Sequence, residues 1–286
     1  MTATRTSASK EPLPERPTKA RPGVRSTLLA FLRIEFVEEI SYPMSFVFTM
    51  LRSVMPLLLS FFIGQLIRDP RVGGDYLTFV TIGLGVSAML SGALAGFGGS
   101  MSRAFQRGTL ETYLVEPVPW TFLPLAMNTW QLLLGIVNGT LLMLVGWLLG
   151  ADYVAGQIPA FIFLVFLGVI ATTAIGLVSA SVLMLTLKAQ PVLYVYGMAA
   201  GLLAGAVFSV SQLPTWLKIF SFLIPHTYVI NGSRSLLMED PGSFEIPYST
   251  AVFVLLGFGV IVFPLGVWLF RRALEFARRM GVLSGY

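Results

Sequence analysis

Cysteine is absent from the 286 residues. That excludes disulfides, thiolate zinc sites, iron–sulfur clusters and a cysteine nucleophile together. A single histidine, His226, leaves almost no imidazole for a metal centre. Charge is also scarce, with 12% of residues Asp, Glu, Lys or Arg, where an ordinary soluble domain carries about 25%. The chain is instead 55% hydrophobic. That ratio cannot cover a water-facing surface, so a soluble globular enzyme is excluded.

The few charges are unevenly placed. Lys and Arg number 19 against 14 Asp and Glu, a net charge of +5, and they sit in short bursts between long apolar runs. A nucleic-acid binder would gather its basic residues on one folded face with aromatics between them. Here the bursts read as membrane flanks, and no nucleic-acid partner is expected. A hydrocarbon layer about 30 Å thick needs roughly 20 apolar helical residues. Six runs qualify: about Ser45 to Ile67, Tyr76 to Gly99, Thr121 to Leu149, Ala160 to Leu187, Pro191 to Ser211 and Tyr248 to Phe270. Each is too long and too continuously apolar for a barrel strand of about 10 alternating residues. The fold class expected is an all-α polytopic membrane bundle.

Orientation follows from Lys and Arg near the span ends. With the N-terminus inside, the cytoplasmic segments collect Arg25, Arg33, Arg103, Arg107, Lys188, Arg271, Arg272, Arg278 and Arg279, besides five basic residues of the N-terminal tail. The outside keeps only Arg68, Arg71, Lys218 and Arg234. Both termini are expected in the cytoplasm. Residues 1–25, rich in Pro, Ser, Thr, Lys and Arg, read as a disordered tail without a cleavable signal. Over residues 26–42, Leu28, Leu29, Leu32, Phe36 and Ile40 recur at helical spacing among Arg33, Glu35, Glu38 and Glu39, which predicts an interfacial amphipathic helix. The membrane domain then covers 43–279 and a cytoplasmic end 280–286.

Gly197, Gly201 and Gly205 repeat at intervals of four, which predicts close helix packing and a central place for the fifth span. Gly92 with Gly96 and Gly135 with Gly139 repeat the interval as pairs, a weaker signal. Within the six runs Arg52 is the one ionisable side chain, placed to reach toward lipid phosphates, to pair with a neighbouring chain or to line a substrate pathway with the polar face of the third span. Asn128, Gln131 and Asn138 share one face of the third span, where they either line a pathway or bond neighbouring helices. No serine triad, HExxH or carboxylate pair placed for acid–base work is present. No P-loop exists either, since none of Lys10, Lys19, Lys188 and Lys218 follows a glycine.

The loop between the second and third spans carries the most information. It runs Ser102-Arg103-Ala104-Phe105-Gln106-Arg107-Gly108-Thr109-Leu110-Glu111-Thr112-Tyr113-Leu114-Val115-Glu116-Pro117-Val118-Pro119. The run R-G-T-L-E-x-Y-L-V-x-P-V, followed by a long apolar helix, resembles the cytoplasmic coupling segment of the type-two ABC exporter permeases. The likeness covers roughly Arg25 to Arg279, with six spans, a preceding interfacial helix and short apolar helices over Leu213 to Met238 before the last span. It implies that Arg103, Phe105, Arg107, Gly108, Thr109, Leu110, Glu111 and Tyr113 dock on a separate ATPase subunit. Their chemistry suits an interface, with aromatic, leucine and arginine anchors and a glycine turn. It also implies re-entrant helices over Leu213 to Met238 that close the outer end. Irregular backbone at that depth must be buried in protein or line a cavity. His226 within it is expected to be hydrogen-bonded locally.

The resemblance implies the permease subunit of an ABC exporter in the inner (plasma) membrane, not itself an enzyme. Two ATPase chains would bind ATP and magnesium, and a second permease copy would complete a homodimer. An aliphatic and aromatic lining suits an amphipathic drug, natural product or lipid-like substrate, with polysaccharide or lipid-linked glycan second. Tyr194 and Tyr196 are the one tyrosine pair placed for a sugar path. An ATPase-independent channel or membrane assembly protein is the reading from another class.

Overall fold

The structure, a computed structural model, describes residues 24–66, 75–106, 122–186, 190–239 and 246–279. Among these residues there is no strand, and ten α-helices follow one another. They are α1 (Val24–Ser41), α2 (Pro43–Leu66), α3 (Asp75–Gln106), α4 (Phe122–Leu148), α5 (Ile158–Thr186), α6 (Gln190–Leu203), α7 (Thr215–Phe222), α8 (Pro225–Leu237), α9 (Tyr248–Gly257) and α10 (Phe263–Arg279). The molecule is an all-α polytopic membrane protein. Prolines mark several starts: Pro43 opens α2, Pro214 and Pro247 directly precede α7 and α9, and Pro225 stands in the first turn of α8. A proline there loses no hydrogen bond, because first-turn N–H groups have no helical partner, and its ring presets a helical φ.

Five stretches are long and apolar enough to cross a membrane: Phe46–Gln65, Tyr76–Leu94, Asn128–Leu148, Ala155–Val182 and Tyr248–Phe276. The last runs through α9 and α10, joined by a π-helical turn at Phe258–Val262. The fifth expected run departs from expectation. Rather than one helix from Pro191 to Ser211, α6 stops at Leu203, and its apolar part is the shorter Leu193–Leu203. Gly205 then takes φ 82°, a left-handed conformation that a side chain strains, and a short 3-10 turn follows at Val210–Gln212. Apolarity carries past residue 203, but the backbone turns where only glycine turns cheaply.

Two helices form the hub. Of the apolar windows in α3 and α5, 67% and 61% are buried, against 11% in α2. α3 lies against α4, α5 and α8, while α5 lies against α10, α3 and α8. Their shared core includes Ile82, Val86 and Leu90 of α3, Leu164 of α5, Ile230 of α8 and Leu255 of α9. Phe48, Leu51, Met55, Leu59 and Phe62 of α2 face outward. In a membrane such a face meets lipid tails as apolar as itself, so close packing and polar contacts, not hydrophobic force, must hold the helices together.

The α3–α4 contact shows how that is done. A Cβ on Gly92 would stand 2.5 Å from the Gln131 carbonyl oxygen and 2.8 Å from Gly135 Cα. Gly139 meets the Gly85 carbonyl as closely, and Gly96 receives the Asn128 side chain. The glycine pairs of α3 and α4 are therefore the close helix contact of this chain. The triple in the fifth run is not: among the described residues a Cβ on Gly197 or Gly201 would meet nothing within 4 Å, and Gly205 is the turn after α6. α6 is correspondingly peripheral, with its main contact on α3. Spacing alone cannot tell whether a glycine stripe finds a partner within its own chain.

The expected interfacial helix is α1, which packs on α4 through an edge-to-face contact of Phe36 with Trp130, centroids 5.7 Å apart. Its apolar residues do not share one buried face. Leu28 and Leu32 are half-buried, whereas Leu29 and Phe36 are exposed. At the opposite end of α4, Gly150 with φ 103° ends the helix, and the Ala151 N–H donates to the Gly146 carbonyl at 2.9 Å. The loop is tied on both sides: Asp152 N–H donates to Thr78 Oγ1 of α3 at 3.0 Å, and Val154 N–H to the Leu237 carbonyl of α8 at 3.0 Å. α8 thus sits beside the N-terminal end of α3.

Candidate functional site

Of the expected docking residues, Arg103 and Phe105 stand in the last turns of α3. Arg107, Gly108, Thr109, Leu110, Glu111 and Tyr113 lie outside the described residues. The glycine contacts run α3 and α4 side by side, so the segment between them leaves and returns at one end of the bundle. That end is remote from Phe79 and Thr78, where α8 and the loop after α4 gather. The ends of α3 therefore serve two different regions.

The polar face of α4 is largely engaged by neighbouring helices. Asn128 is buried, and its Nδ2 donates to the Ala93 carbonyl of α3 at 3.2 Å. Asn138 Oδ1 accepts from Ser53 Oγ of α2 at 2.6 Å. Gln131 is half-buried, its backbone carbonyl facing Gly92. Of the two roles open to this face, Asn128 and Asn138 fill the helix-joining one. Arg52, beside Ser53 on α2, is exposed. The tyrosine pair is likewise split: Tyr194 is 68% exposed, while Tyr196 Oη lies 3.0 Å from His226 Nδ1 of α8. His226 is hydrogen-bonded, to a neighbouring helix rather than within its own.

The short helices hold the polar heart of the molecule. Eleven of the thirteen residues of α8 are buried, among them His226, Thr227, Asn231, Ser233 and Arg234. Ser221 Oγ of α7 donates to the Leu203 carbonyl at the end of α6 at 2.6 Å, and Thr227 Oγ1 donates to the Ser221 carbonyl at 2.7 Å. The Leu203 carbonyl freed at the end of α6 is thereby satisfied without water. Leu213 to Met238 indeed contains two short helices, and the second is interior.

Arg234 is the residue whose burial the sequence alone did not reveal. Counted among outside loop charges, it is 0% exposed. Its Nε and Nη2 donate to the Phe79 carbonyl of α3 at 3.2 and 3.1 Å, and Nη2 donates to the Ala206 carbonyl beyond α6 at 2.9 Å. The guanidinium also stands 3.3 Å from the Phe79 ring centroid. α8 is too short and too polar for a hydropathy window to detect. The available signal was Arg234 itself, a lone strong charge in a stretch of small and apolar residues.

A broken helical segment packed inside an apolar bundle, set at the far end of α3 from a basic, aromatic loop, narrows the protein's class. The family described as ABC-2 type transporter matches residues 38–238. The chain belongs to that family. Among similar proteins is Nodulation protein J of Sinorhizobium fredii (strain NBRC 101917 / NGR234), 28% identical over 211 residues, covering 71% of this chain and 77% of that one. Another is the probable multidrug ABC transporter permease YbhR of Escherichia coli (strain K12), 24% identical over 186 residues. That alignment covers 62% of this chain but 48% of the relative, about half its length. As an ABC-2 type protein, the chain is a multi-pass membrane component of an ABC transporter. The match spans α2 through α8 and includes both the loop beyond Gln106 and the buried Arg234.

Proposed function

We propose that this ABC-2 protein is the permease of an ATP-driven exporter. The observation that carries the reading is the family match over residues 38–238, which encloses the R-G-T-L-E run. ATP and magnesium are held by a separate ATPase subunit, for which this chain has no P-loop. Two ATPase copies and a second permease copy complete the assembly. Arg103, Phe105, Arg107, Gly108, Thr109, Leu110, Glu111 and Tyr113 form the docking element, and α3 carries its motion into the bundle. Both termini face the cytoplasm, by the distribution of Lys and Arg. ATP drives the change because it binds one arrangement of the assembly more tightly than the other.

The substrate is an amphipathic drug, natural product or lipid-like molecule. Two observations support that class: the apolar outward faces of α2 and α6, and the likeness to a permease named as multidrug. Co-expression with the candidate ATPase, extraction in mild detergent and co-purification test the assembly. The wild type retains the ATPase, and Glu111→Arg and Tyr113→Ala lose it. Retention by both variants, or no association of the wild type, overturns the docking reading.

A further inference from the structure

We propose that Arg234 is the positioning residue that ties the docking-loop helix α3 to the short-helix unit at the other end of the bundle, and that this tie opens during transport. The proposal rests on the exporter reading above. Its geometry begins with α3, an unbroken helix of 32 residues. At 1.5 Å per residue such a helix is about 48 Å long, so a shift at its Gln106 end reaches Phe79 without a joint to absorb it. At Phe79 the helix meets one guanidinium that bonds three elements at once: α8, which bears it, α3, through the Phe79 carbonyl, and the turn after α6, through the Ala206 carbonyl.

The turn is available only because α6 stops. Gly205 at φ 82° swings the chain out of helical conformation and leaves the Ala206 carbonyl pointing at Arg234 rather than into a helix. On the other side, Gly83 of α3 leaves the space for both groups. A Cβ there would overlap the Ala206 carbonyl oxygen and lie 2.6 Å from Arg234 Nη2. α6, α7 and α8 already form one unit through the bonds Ser221 to Leu203, Thr227 to Ser221 and Tyr196 to His226. Arg234 joins that unit to α3. Its carbonyl partners suit a reversible tie. Two charge-assisted bonds go to the Phe79 carbonyl and one to the Ala206 carbonyl, all of a kind that water replaces when the site is wetted, and a guanidinium stays charged throughout. When the docked loop moves α3, the Phe79 and Ala206 carbonyls separate, Arg234 keeps at most one of them, and the turn at 204–209 becomes wet.

Absence of cysteine makes the test direct. Ala206, 4% exposed, is changed to cysteine in the complex with its ATPase, and reaction with a membrane-impermeant maleimide is timed without nucleotide and with ATP plus vanadate. Labelling should be slow without nucleotide and about tenfold faster in the trapped state, the scale expected for losing a charge-assisted bond. Adding Arg234→Gln or Gly83→Ala should bring the nucleotide-free rate up to the trapped one and remove the response. Amide hydrogen exchange over 204–210 in chains with native Ala206 gives a second reading: faster exchange in Arg234→Gln than in wild type, with Arg234→Lys intermediate. An ATPase that associates and hydrolyses ATP while labelling stays flat overturns the tie alone. Equal exchange in wild type and Arg234→Gln also overturns it. If no ATPase associates, the exporter reading falls and the coupling falls with it.

Discussion

Single residues in this protein hold helices together by polar contacts that a soluble protein would share with water. The bond from Ser53 Oγ to Asn138 Oδ1 at 2.6 Å is a direct polar link between α2 and α4, and it stands in a span where Arg52 is the nearest charge. Interhelical hydrogen bonds in membranes average about 0.6 kcal/mol by double-mutant cycle, because the unfolded state in lipid finds partners too. A cycle of Ser53→Ala, Asn138→Ala and the double variant, followed by thermal unfolding in detergent, should therefore give a coupling below about 1 kcal/mol. Asn128 differs in being buried on the crowded side of α4, with its side chain against Gly96. The spacing of Asn128, Gln131 and Asn138 reveals a polar face. What that face touches, α3 at one position and α2 at another, is written in other segments of the chain.

Among the helices, two glycine patterns with the same four-residue spacing have opposite surroundings. Gly92, Gly135 and Gly139 sit where α3 and α4 approach within a methyl group's width, whereas Gly197 and Gly201 of α6 face open space in the single chain. Gly92→Ala or Gly139→Ala forces two backbones apart and should lower stability by about 1–3 kcal/mol, as overpacking does elsewhere. Gly197→Ala and Gly201→Ala should leave the thermal midpoint of the detergent-solubilised monomer unchanged or slightly raised, since alanine is the better helix former. A fall as large as that of Gly92→Ala would show α6 buried against something in solution. The end of α6 follows the same logic: hydropathy continues to Ser211, but the helix ends at Leu203, and the carbonyls released there accept from Ser221 and Arg234.

For the whole molecule, the fold gives its two ends different contents. The C-terminal end of α3 and the start of α4 lie at one end, and the buried short helices with the loop after α4 occupy the other. If Lys and Arg set the orientation, these ends lie on opposite sides of the membrane. Single cysteines in the otherwise cysteine-free chain report this. An impermeant maleimide added to spheroplasts should label exposed Glu239→Cys at once, and Arg278→Cys only after permeabilisation. The reverse pattern would invert the topology and place the proposed docking segment outside, where no ATP is available. Family membership rests on the same breadth, because the match extends from residue 38 to 238 rather than over one motif.

The sequence by itself determined the class of this protein. Membrane helices are recognised by local sums of apolarity over about 20 residues, and the R-G-T-L-E run is contiguous, so neither needs a neighbour to be read. Tertiary structure alone decided which stripes meet and which charge is interior. Arg234 belongs to a helix of 13 residues, below the length at which hydropathy speaks, and its burial depends on Phe79 and Ala206 arriving from 155 and 28 residues away. A charge is outside or inside according to what closes over it. For Arg234 that is the turn after α6, which packs tightly onto α3 only because position 83 has no side chain.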